Sequence, residues 1–132
     1  MSQANVELVR KLYEAFMRGD IATVVQGAAA DVHWEVTGRS KDHPLFGTRR
    51  GHAGMQDFFT RLNELQEAVS FTPKEFHAAG DKVFVLGHYA WKFRKSGHAV
   101  DSNWCHVFTV RDGTVTRFVE FTDTAQLAEG LR

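Results

Sequence analysis

The sequence predicts an α+β fold in which three N-terminal helices pack on a strongly curved sheet. Apolar residues recur at spacings of three and four through the first half of the chain, as in amphipathic helices. After residue 70 they alternate with period two, which indicates strands. Short glycine-containing segments between those strands favour hairpin turns. The 132 residues are expected to form a single domain over residues 1–132, in the order α-α-β-α-β-β-β-β.

The N-terminal half is predicted to contain three helices and one strand. The first helix ends at Gly19-Asp20, and its apolar stripe comprises Val6, Val9, Leu12 or Tyr13, and Phe16. A second, short helix has as its apolar side Ile21, Val24 and Val25. Residues 31–37 alternate as a strand, and the polar, glycine-rich residues 38–50 form a loop that is functional or mobile. A third helix extends from Gly51 to Gln66.

The C-terminal half is predicted to be a meander of strands. The strands cover residues 70–78, 82–94, 98–110 and 114–121. A short terminal helix over residues 124–131 completes the chain. Long strands twist strongly, so the mixed or antiparallel sheet should curl and leave a cone-shaped space under the helices.

Composition excludes several classes of partner. Sixteen basic and sixteen acidic residues give a formal net charge of zero, which argues against nucleic acid or an anionic membrane. The single cysteine, Cys105, allows no internal disulfide and fits a reducing, cytoplasmic location. The N-terminus has no apolar signal core, and no apolar run approaches the roughly 20 residues of a membrane span. None of the seven histidines forms an HxxxH or HxH pair, so no metal site is predicted.

Two neighbouring strands are predicted to share one aromatic face. That face carries Tyr89, Trp91, Trp104 and His106. We expect it to face the helices and to line a pocket. The opposite face, around Cys105 and Val107, is smaller and mixed, and is either half exposed or buried against a second subunit.

A turn of two residues at Ser96-Gly97 would fix the register of these strands. Tyr89 would then lie opposite Trp104, and Gly87 opposite His106. The glycine would leave room for the imidazole.

His106 interrupts an otherwise apolar face, which makes it the most informative residue. It could be a core histidine satisfied by one hydrogen bond, because buried polar groups are normally paired. It could instead be an acid, a base or a hydrogen-bond donor in the pocket, or, less in keeping with the spacing, a metal ligand.

The sequence leaves the facing of the last strand open. If residues 111–113 form a three-residue loop with a bulge, Phe118 and Glu120 share the face of His106. If Asp112-Gly113 is a two-residue turn, Val119 and Phe121 do, because a slip of one residue turns every side chain over.

Asp123 follows this strand, at the expected mouth of the cone. It could be the N-cap of the terminal helix. It could also be a base, because desolvation beside an aromatic pocket raises the pKa of a carboxyl group.

Segments along most of the chain resemble the SnoaL-like branch of the nuclear transport factor 2-like superfamily. They are Tyr13-Glu14-Ala15-Phe16 with Gly19-Asp20, Asp31-Val32-His33-Trp34, the Gly51-x-x-Gly54 helix, and the run from Trp104 to Leu127. The resemblance implies a cone-shaped α+β barrel, often a homodimer through the outer sheet face. The family that it resembles includes polyketide cyclases, ketosteroid isomerases and epoxide hydrolases, whose catalysis uses acid/base groups without metals or organic cofactors.

The resemblance also assigns residues. Steroid isomerases have a first-helix tyrosine where this chain has Leu12, an aspartate base at Val36 and an acid at His106, so their mechanism is not expected here. The acid/base aspartate of the polyketide cyclases matches Asp123, and the alignment favours the register with Glu120 in the pocket.

Three functions remain open. In an enzyme, Asp123 would be the base, His106 would donate to an oxyanion, and Glu120 would orient His106 or act as a second acid. Its small, apolar, carbonyl-bearing ligand would pack against Trp34, Tyr89, Trp91, Trp104 and Phe118. In a binding protein, the same pocket would hold a hydrophobic ligand unchanged. In a structural dimer, His106 and Glu120 would pair with each other or with Arg117 and leave no cavity.

Overall fold

The structure, a computed structural model, describes residues 2–132 as four helices and six strands. The helices are α1 (Ser2–Met17), α2 (Ile21–Gln26), α3 (Gly51–Leu65) and α4 (Thr124–Gly130). The strands are β1 (Ala28–Val36), β2 (Gly47–Arg50), β3 (Gln66–Ala79), β4 (Lys82–Phe93), β5 (Ala99–Arg111) and β6 (Thr114–Thr122). None of these helices is long and apolar enough to cross a bilayer.

The strands form one six-stranded mixed sheet in the order β2-β1-β6-β5-β4-β3. Only β1 and β6 pair in parallel. The core lies between the helices and one face of the sheet, where Val9 of α1, Met55 of α3 and Val85 of β4 are fully buried. The predicted α+β fold, with helices packed on a curved mixed sheet, is confirmed.

Two strands begin where local sequence gave no strand signal. Residues 47–50, predicted as loop, form the edge strand β2, which pairs with residues 33–36 of β1. Strand β1 itself begins at Ala28, three residues before the predicted start. An alanine run favours helix, and a polar edge strand of four residues shows no apolar alternation, so tertiary pairing decides both.

The turn between β4 and β5 is longer than predicted. Phe93 and His98 are joined by a backbone hydrogen bond, which leaves residues 94–97 as a four-residue connection. The predicted pairing of Tyr89 with Trp104 is therefore wrong by two residues, and Gly87 lies opposite Trp104. A shift of two preserves which side chains share a face, so the aromatic inner face is as predicted.

The β5–β6 hairpin combines both alternatives that the sequence left open. Asp112 and Gly113 have φ values of 53° and 73°, as a tight two-residue hairpin turn requires. The ladder then shifts between the pairs Val110–Val115 and Thr109–Arg117, which leaves Thr116 as the extra residue of a bulge. This bulge turns the rest of β6 over. As a result Glu120 lies directly opposite His106.

The segment between β1 and β2 closes one end of the core through His43. His43 is 1% exposed. Its Nδ1 accepts a hydrogen bond from the backbone N–H of Leu45 at 3.0 Å, so the ring proton sits on Nε2 and is donated to Gln66 Oε1 at 3.3 Å. Burial lowers the pKa of His43, because the charged imidazolium would lose contact with water.

We expect the protein to lose stability as the pH falls below about 6.5, the ordinary pKa of histidine. The unfolded chain then binds a proton that folded His43 resists, so the contribution is complete above that pH and declines below it. Urea unfolding at pH 5 and pH 7.5 measures the loss. In His43→Asn, whose amide oxygen can still accept from Leu45, the difference between the two pH values should shrink. An unchanged difference would show that other groups control acid stability.

Candidate active site

A cavity of about 80 Å³ lies between the helices and the inner face of the sheet. Six of the predicted pocket residues line it: Trp34, Tyr89, Trp91, His106, Phe118 and Glu120. The space exceeds what one water molecule needs. The pairing of His106 with Glu120 therefore does not fill the core, as a purely structural role would have required.

A chain of three buried side chains forms the polar part of the cavity wall. The Tyr13 hydroxyl lies 2.6 Å from His106 Nδ1, and His106 Nε2 lies 2.8 Å from Glu120 Oε1. As whole residues, Tyr13 is 7% exposed, His106 4% and Glu120 9%. Helix α1 supplies the tyrosine, while β5 and β6 supply the other two. We call this chain the Tyr–His–Glu relay.

The hydrogen bonds of the relay fit one arrangement of protons when Glu120 is ionised and His106 is neutral. An ionised Glu120 only accepts, so His106 donates from Nε2, and a neutral imidazole then accepts at Nδ1 from the Tyr13 O–H. Burial and the negative charge of Glu120 raise the pKa of Tyr13 well above its ordinary value. Tyr13 therefore remains a neutral hydroxyl.

A second set of hydrogen bonds holds Glu120 from its other oxygen. The Tyr89 hydroxyl lies 3.0 Å from Glu120 Oε2 and 2.7 Å from Thr122 Oγ1. Thr122 in turn lies 3.2 Å from Ser102 Oγ. Burial raises the pKa of Tyr89, which is also a neutral hydroxyl. Both carboxylate oxygens are thus fixed, as a buried charge requires.

Aromatic packing holds the imidazole in place from behind. The ring of Trp104 stacks on His106 with centroids 3.9 Å apart and an angle of 19° between the ring planes. A side chain on Gly87 would collide with the Trp104 ring. Gly87 therefore leaves room for Trp104 rather than for His106, as its register position already indicated. Trp104, predicted to contact the ligand, lies outside the cavity lining and supports His106 instead.

Asp123, the predicted base, lies outside the cavity. Its side chain is exposed and caps α4 by accepting a hydrogen bond from the backbone N–H of Gln126 at 3.1 Å. The backbone N–H of Asp123 donates a hydrogen bond to Ser102 Oγ, which belongs to the hydrogen-bonded set of Tyr89 and Thr122 next to Glu120. The structure brings His106 and Glu120 together but leaves Asp123 apart from them. Asp123 is the N-cap of α4, which was the alternative interpretation of this residue.

Sequence reasoning missed Tyr13 as a polar site residue. Its position in the apolar stripe of α1 indicated only burial. The resemblance assigned the tyrosine position of steroid isomerases to Leu12, but the hydroxyl that reaches the site belongs to the next residue. Leu12 lines the cavity with apolar atoms. The available signal was the hydroxyl of Tyr13, a polar group within the apolar stripe of the helix.

Within residues 2–132, no group of three or more His, Cys, Asp or Glu side chains is arranged to hold a metal ion. The two nitrogens of His106 are both engaged, by Tyr13 and by Glu120. The chemistry that this site offers through its own residues is proton transfer.

Comparison with known proteins identifies the class to which this fold and site belong. The sequence model of the SnoaL-like domain family matches residues 9–118 of this chain, so the chain belongs to the SnoaL-like family. An NTF2-like protein from Burkholderia xenovorans has 32% sequence identity and a TM-score of 0.90, with 100% of this chain and 98% of that chain covered.

Two further proteins have a similar sequence identity to this chain. TerC, crystallised with polyporic acid, has 29% identity and a TM-score of 0.83, with 96% of each chain covered. An uncharacterised protein of Mycobacterium tuberculosis is 28% identical over 118 residues, which cover 89% of this chain and 88% of that protein.

Proposed function

We propose that this protein is an enzyme that moves a proton on a small, apolar, carbonyl-bearing molecule without a cofactor. The observation that carries the proposal is the Tyr–His–Glu relay in the wall of an otherwise aromatic cavity. A hydroxyl, an imidazole and a carboxylate in line are the arrangement by which a histidine removes a proton from a hydroxyl group. Here the hydroxyl belongs to Tyr13, which lines the cavity.

Tyr13 is the group that would touch the reacting proton. An enolic ligand hydroxyl, or an acidic C–H next to a carbonyl, would give its proton to Tyr13 Oη. The Tyr13 proton would pass at the same time to His106 Nδ1, 2.6 Å away. The ligand would become an enolate that accepts a hydrogen bond from Tyr13, and the imidazolium would be paired with Glu120.

The enolate has two productive outcomes, and both return the proton. Protonation at carbon would complete an isomerisation. Attack of the enolate carbon on a carbonyl carbon of the same molecule would form a carbon–carbon bond and an alkoxide, which would take the proton back from Tyr13 as His106 returns its own. The second outcome is a cyclisation.

Apolar walls would favour this chemistry. Trp34 and Phe118 stack with ring centroids 4.0 Å apart, and both line the cavity. A dry site strengthens the electrostatic interaction between an enolate and its hydrogen-bond donor. The co-crystallisation of TerC with polyporic acid supports a small organic ligand for this chain.

Hydrogen–deuterium exchange next to the carbonyl of aromatic ketones, beginning with 2-tetralone, tests the proposal by NMR. The protein should accelerate exchange, and Glu120→Gln should slow it by about 10²–10⁴-fold. The amide can still accept from His106 and donate to Tyr89, so the fold should be retained. Asp123→Asn serves as the comparison and should exchange at the parent rate. Slow exchange in Asp123→Asn with normal exchange in Glu120→Gln would contradict the proposal and identify Asp123 as the base.

A non-catalytic binding protein is the second candidate. It is favoured by the internal satisfaction of the relay, in which every nitrogen of His106 already has a partner. A binding protein would bind the ketones of the exchange assay without accelerating exchange. Its affinity would also show no ionisation between about pH 5 and pH 8.

We also propose a homodimer through the outer face of the sheet. Leu86, Cys105 and Phe121 form one cross-strand row on that face, and Leu86 and Phe121 are 40% and 49% exposed. Exposed apolar rows of this kind are typical of interfaces. Sedimentation at micromolar concentration should show a dimer, and Leu86→Lys should shift it toward monomer. A parent protein that sediments only as monomer would contradict the interface.

A further inference from the structure

Three hydroxyl groups form a continuous chain that leads from the Tyr–His–Glu relay away from the cavity. The Tyr89 hydroxyl lies between Glu120 Oε2, at 3.0 Å, and Thr122 Oγ1, at 2.7 Å. Thr122 Oγ1 lies 3.2 Å from Ser102 Oγ. Tyr89 lines the cavity, whereas Thr122 and Ser102 lie outside its lining, and Thr122 is half-buried where Glu120 is buried. We call the side chains of Tyr89, Thr122 and Ser102 the hydroxyl chain.

The relay has a polar neighbour on one side only. The ring centroids of Trp104, Phe118 and Phe108 lie 3.9, 4.8 and 6.3 Å from that of His106. Among the residues that the structure describes, Tyr89 is the one side chain outside the relay that hydrogen-bonds to a relay side chain. A proton that leaves the relay through the protein therefore has its polar route at Glu120 Oε2.

The hydroxyl chain can satisfy Glu120 in both of its protonation states. The single proton of Tyr89 has two acceptors within reach, Glu120 Oε2 and Thr122 Oγ1. Ser102 likewise can donate to Thr122 or to the backbone carbonyl of Asn103, 2.7 Å away. A hydroxyl oxygen accepts as well as donates, and its proton rotates to suit. With Glu120 ionised, every bond can run inward to the carboxylate, and with Glu120 protonated every bond can run outward.

We propose that the hydroxyl chain carries protons between Glu120 and water, so that the relay exchanges its proton with solvent through the protein rather than through the cavity. In the outward step, the acid proton of Glu120 passes from Oε2 to the Tyr89 oxygen. Tyr89 gives its own proton to Thr122, and Thr122 gives its own to a water molecule. Glu120 becomes a carboxylate and the water becomes hydronium. The inward step is the reverse.

The path deepens the proposed function and rests on it for its role in catalysis. A ligand proton that reaches His106 would pass from Nε2 to Glu120 Oε1, 2.8 Å away. Rotation of the carboxyl group would then bring that proton to the side of Tyr89, and the ligand would regain a proton derived from water. The hydroxyl chain itself depends only on hydrogen bonds of the protein, so it can be tested without a ligand.

Exchange of the Tyr89 hydroxyl proton in deuterium oxide tests the path directly. Tyr13 and Tyr89 are the two tyrosines of the sequence, and NMR follows each hydroxyl through the deuterium isotope shift of its Cζ resonance. Thr122→Val keeps the shape of the side chain without the hydroxyl, and Thr122→Ser keeps the hydroxyl. Exchange at Tyr89 should slow by about 10²-fold in Thr122→Val, the smaller end of the contribution of one positioned acid or base. It should stay near the parent rate in Thr122→Ser.

Slower exchange is a result that a loss of stability does not produce. A destabilised variant opens more often, so its buried hydroxyls would exchange faster. Valine suits a strand as well as threonine does, and circular dichroism checks that both variants fold. Equal or faster exchange at Tyr89 in Thr122→Val would overturn the proposal. An equal slowing in Thr122→Ser would also overturn it, because the hydroxyl would not be the feature that matters.

The ketone assay separates failure of this path from failure of the proposed function. If Thr122→Val slows exchange at Tyr89 but the parent protein exchanges no ketone proton, the path holds and catalysis is wrong. If the parent exchanges ketone protons and Tyr89 exchanges equally in both proteins, the enzyme stands and the path is wrong. When both hold, Thr122→Val should also slow deuterium uptake by the ketone. That loss should be smaller than in Tyr13→Phe, because a ligand proton can still reach His106 and return.

Discussion

Tyr13→Phe should slow proton exchange by about 10²–10⁴-fold, the usual contribution of one positioned acid or base. The variant removes only the hydroxyl that would pass a ligand proton to His106. The ring would keep its packing, which involves Phe71, Phe76, Trp104, His106 and Phe108. The loss should therefore appear in kcat more than in KM, because the missing proton acts in the transition state.

Tyr89→Phe provides the matched control for this prediction. It also removes one buried hydroxyl, but this hydroxyl contacts Glu120 directly, at the carboxylate oxygen that is not bonded to His106. The relay stays complete, so the loss in kcat should be smaller than for Tyr13→Phe. Equal losses in the two variants would contradict a proton path through Tyr13 and would indicate that both hydroxyls only stabilise the charge of Glu120.

His106→Leu should destabilise the protein by about 3–5 kcal/mol, the usual effect of removing one partner from a buried ion pair or charged hydrogen bond. The side chains of His106 and Glu120 are only 5% and 11% exposed. Without the imidazole, Glu120 would lose the donor at Oε1 and the Tyr13 hydroxyl would lose its acceptor. An unpaired polar group in this cavity has little water to compensate it.

Urea unfolding of the parent, His106→Leu, Glu120→Leu and the double variant measures this coupling. The double variant should be much more stable than the sum of the single losses implies, because it leaves no buried charge. Far-UV circular dichroism checks that each variant folds. Additive losses, or a loss below about 1 kcal/mol in His106→Leu, would show that the bond between His106 and Glu120 contributes little.

Strand periodicity was sufficient to place His106 in the cavity. The predicted register between β4 and β5 was wrong by two residues, yet the same side chains face inward because the side-chain period of a strand is also two. The aromatic character of the wall was therefore readable without knowledge of the turn. Trp34, Tyr89, Trp91 and Phe118 line the cavity as expected.

The position of Asp123 shows the limit of a carry-over by resemblance. Alignment identified a carboxylate after the last strand as a base. The structure gives that carboxylate a local partner, the N–H of Gln126, and an exposed position. A side chain after a strand can turn inward or cap the next helix, depending on the backbone geometry of one junction. The sequence at such a junction is compatible with both conformations.

The sequence by itself determined the fold class, the inner aromatic face and the presence of His106 on that face, because each follows from periodicity within one segment. Only the tertiary structure decided which groups His106 meets. The bulge at Thr116 turns Glu120 toward it, and the docking of α1 selects Tyr13 rather than Leu12 as the neighbour with a hydrogen bond to Nδ1. The contact of Tyr13 with His106 joins residues 93 positions apart, and that of Glu120 with His106 depends on a bulge within a hairpin. Local pattern carries no record of such packing, since a helix stripe states what is buried but not against what.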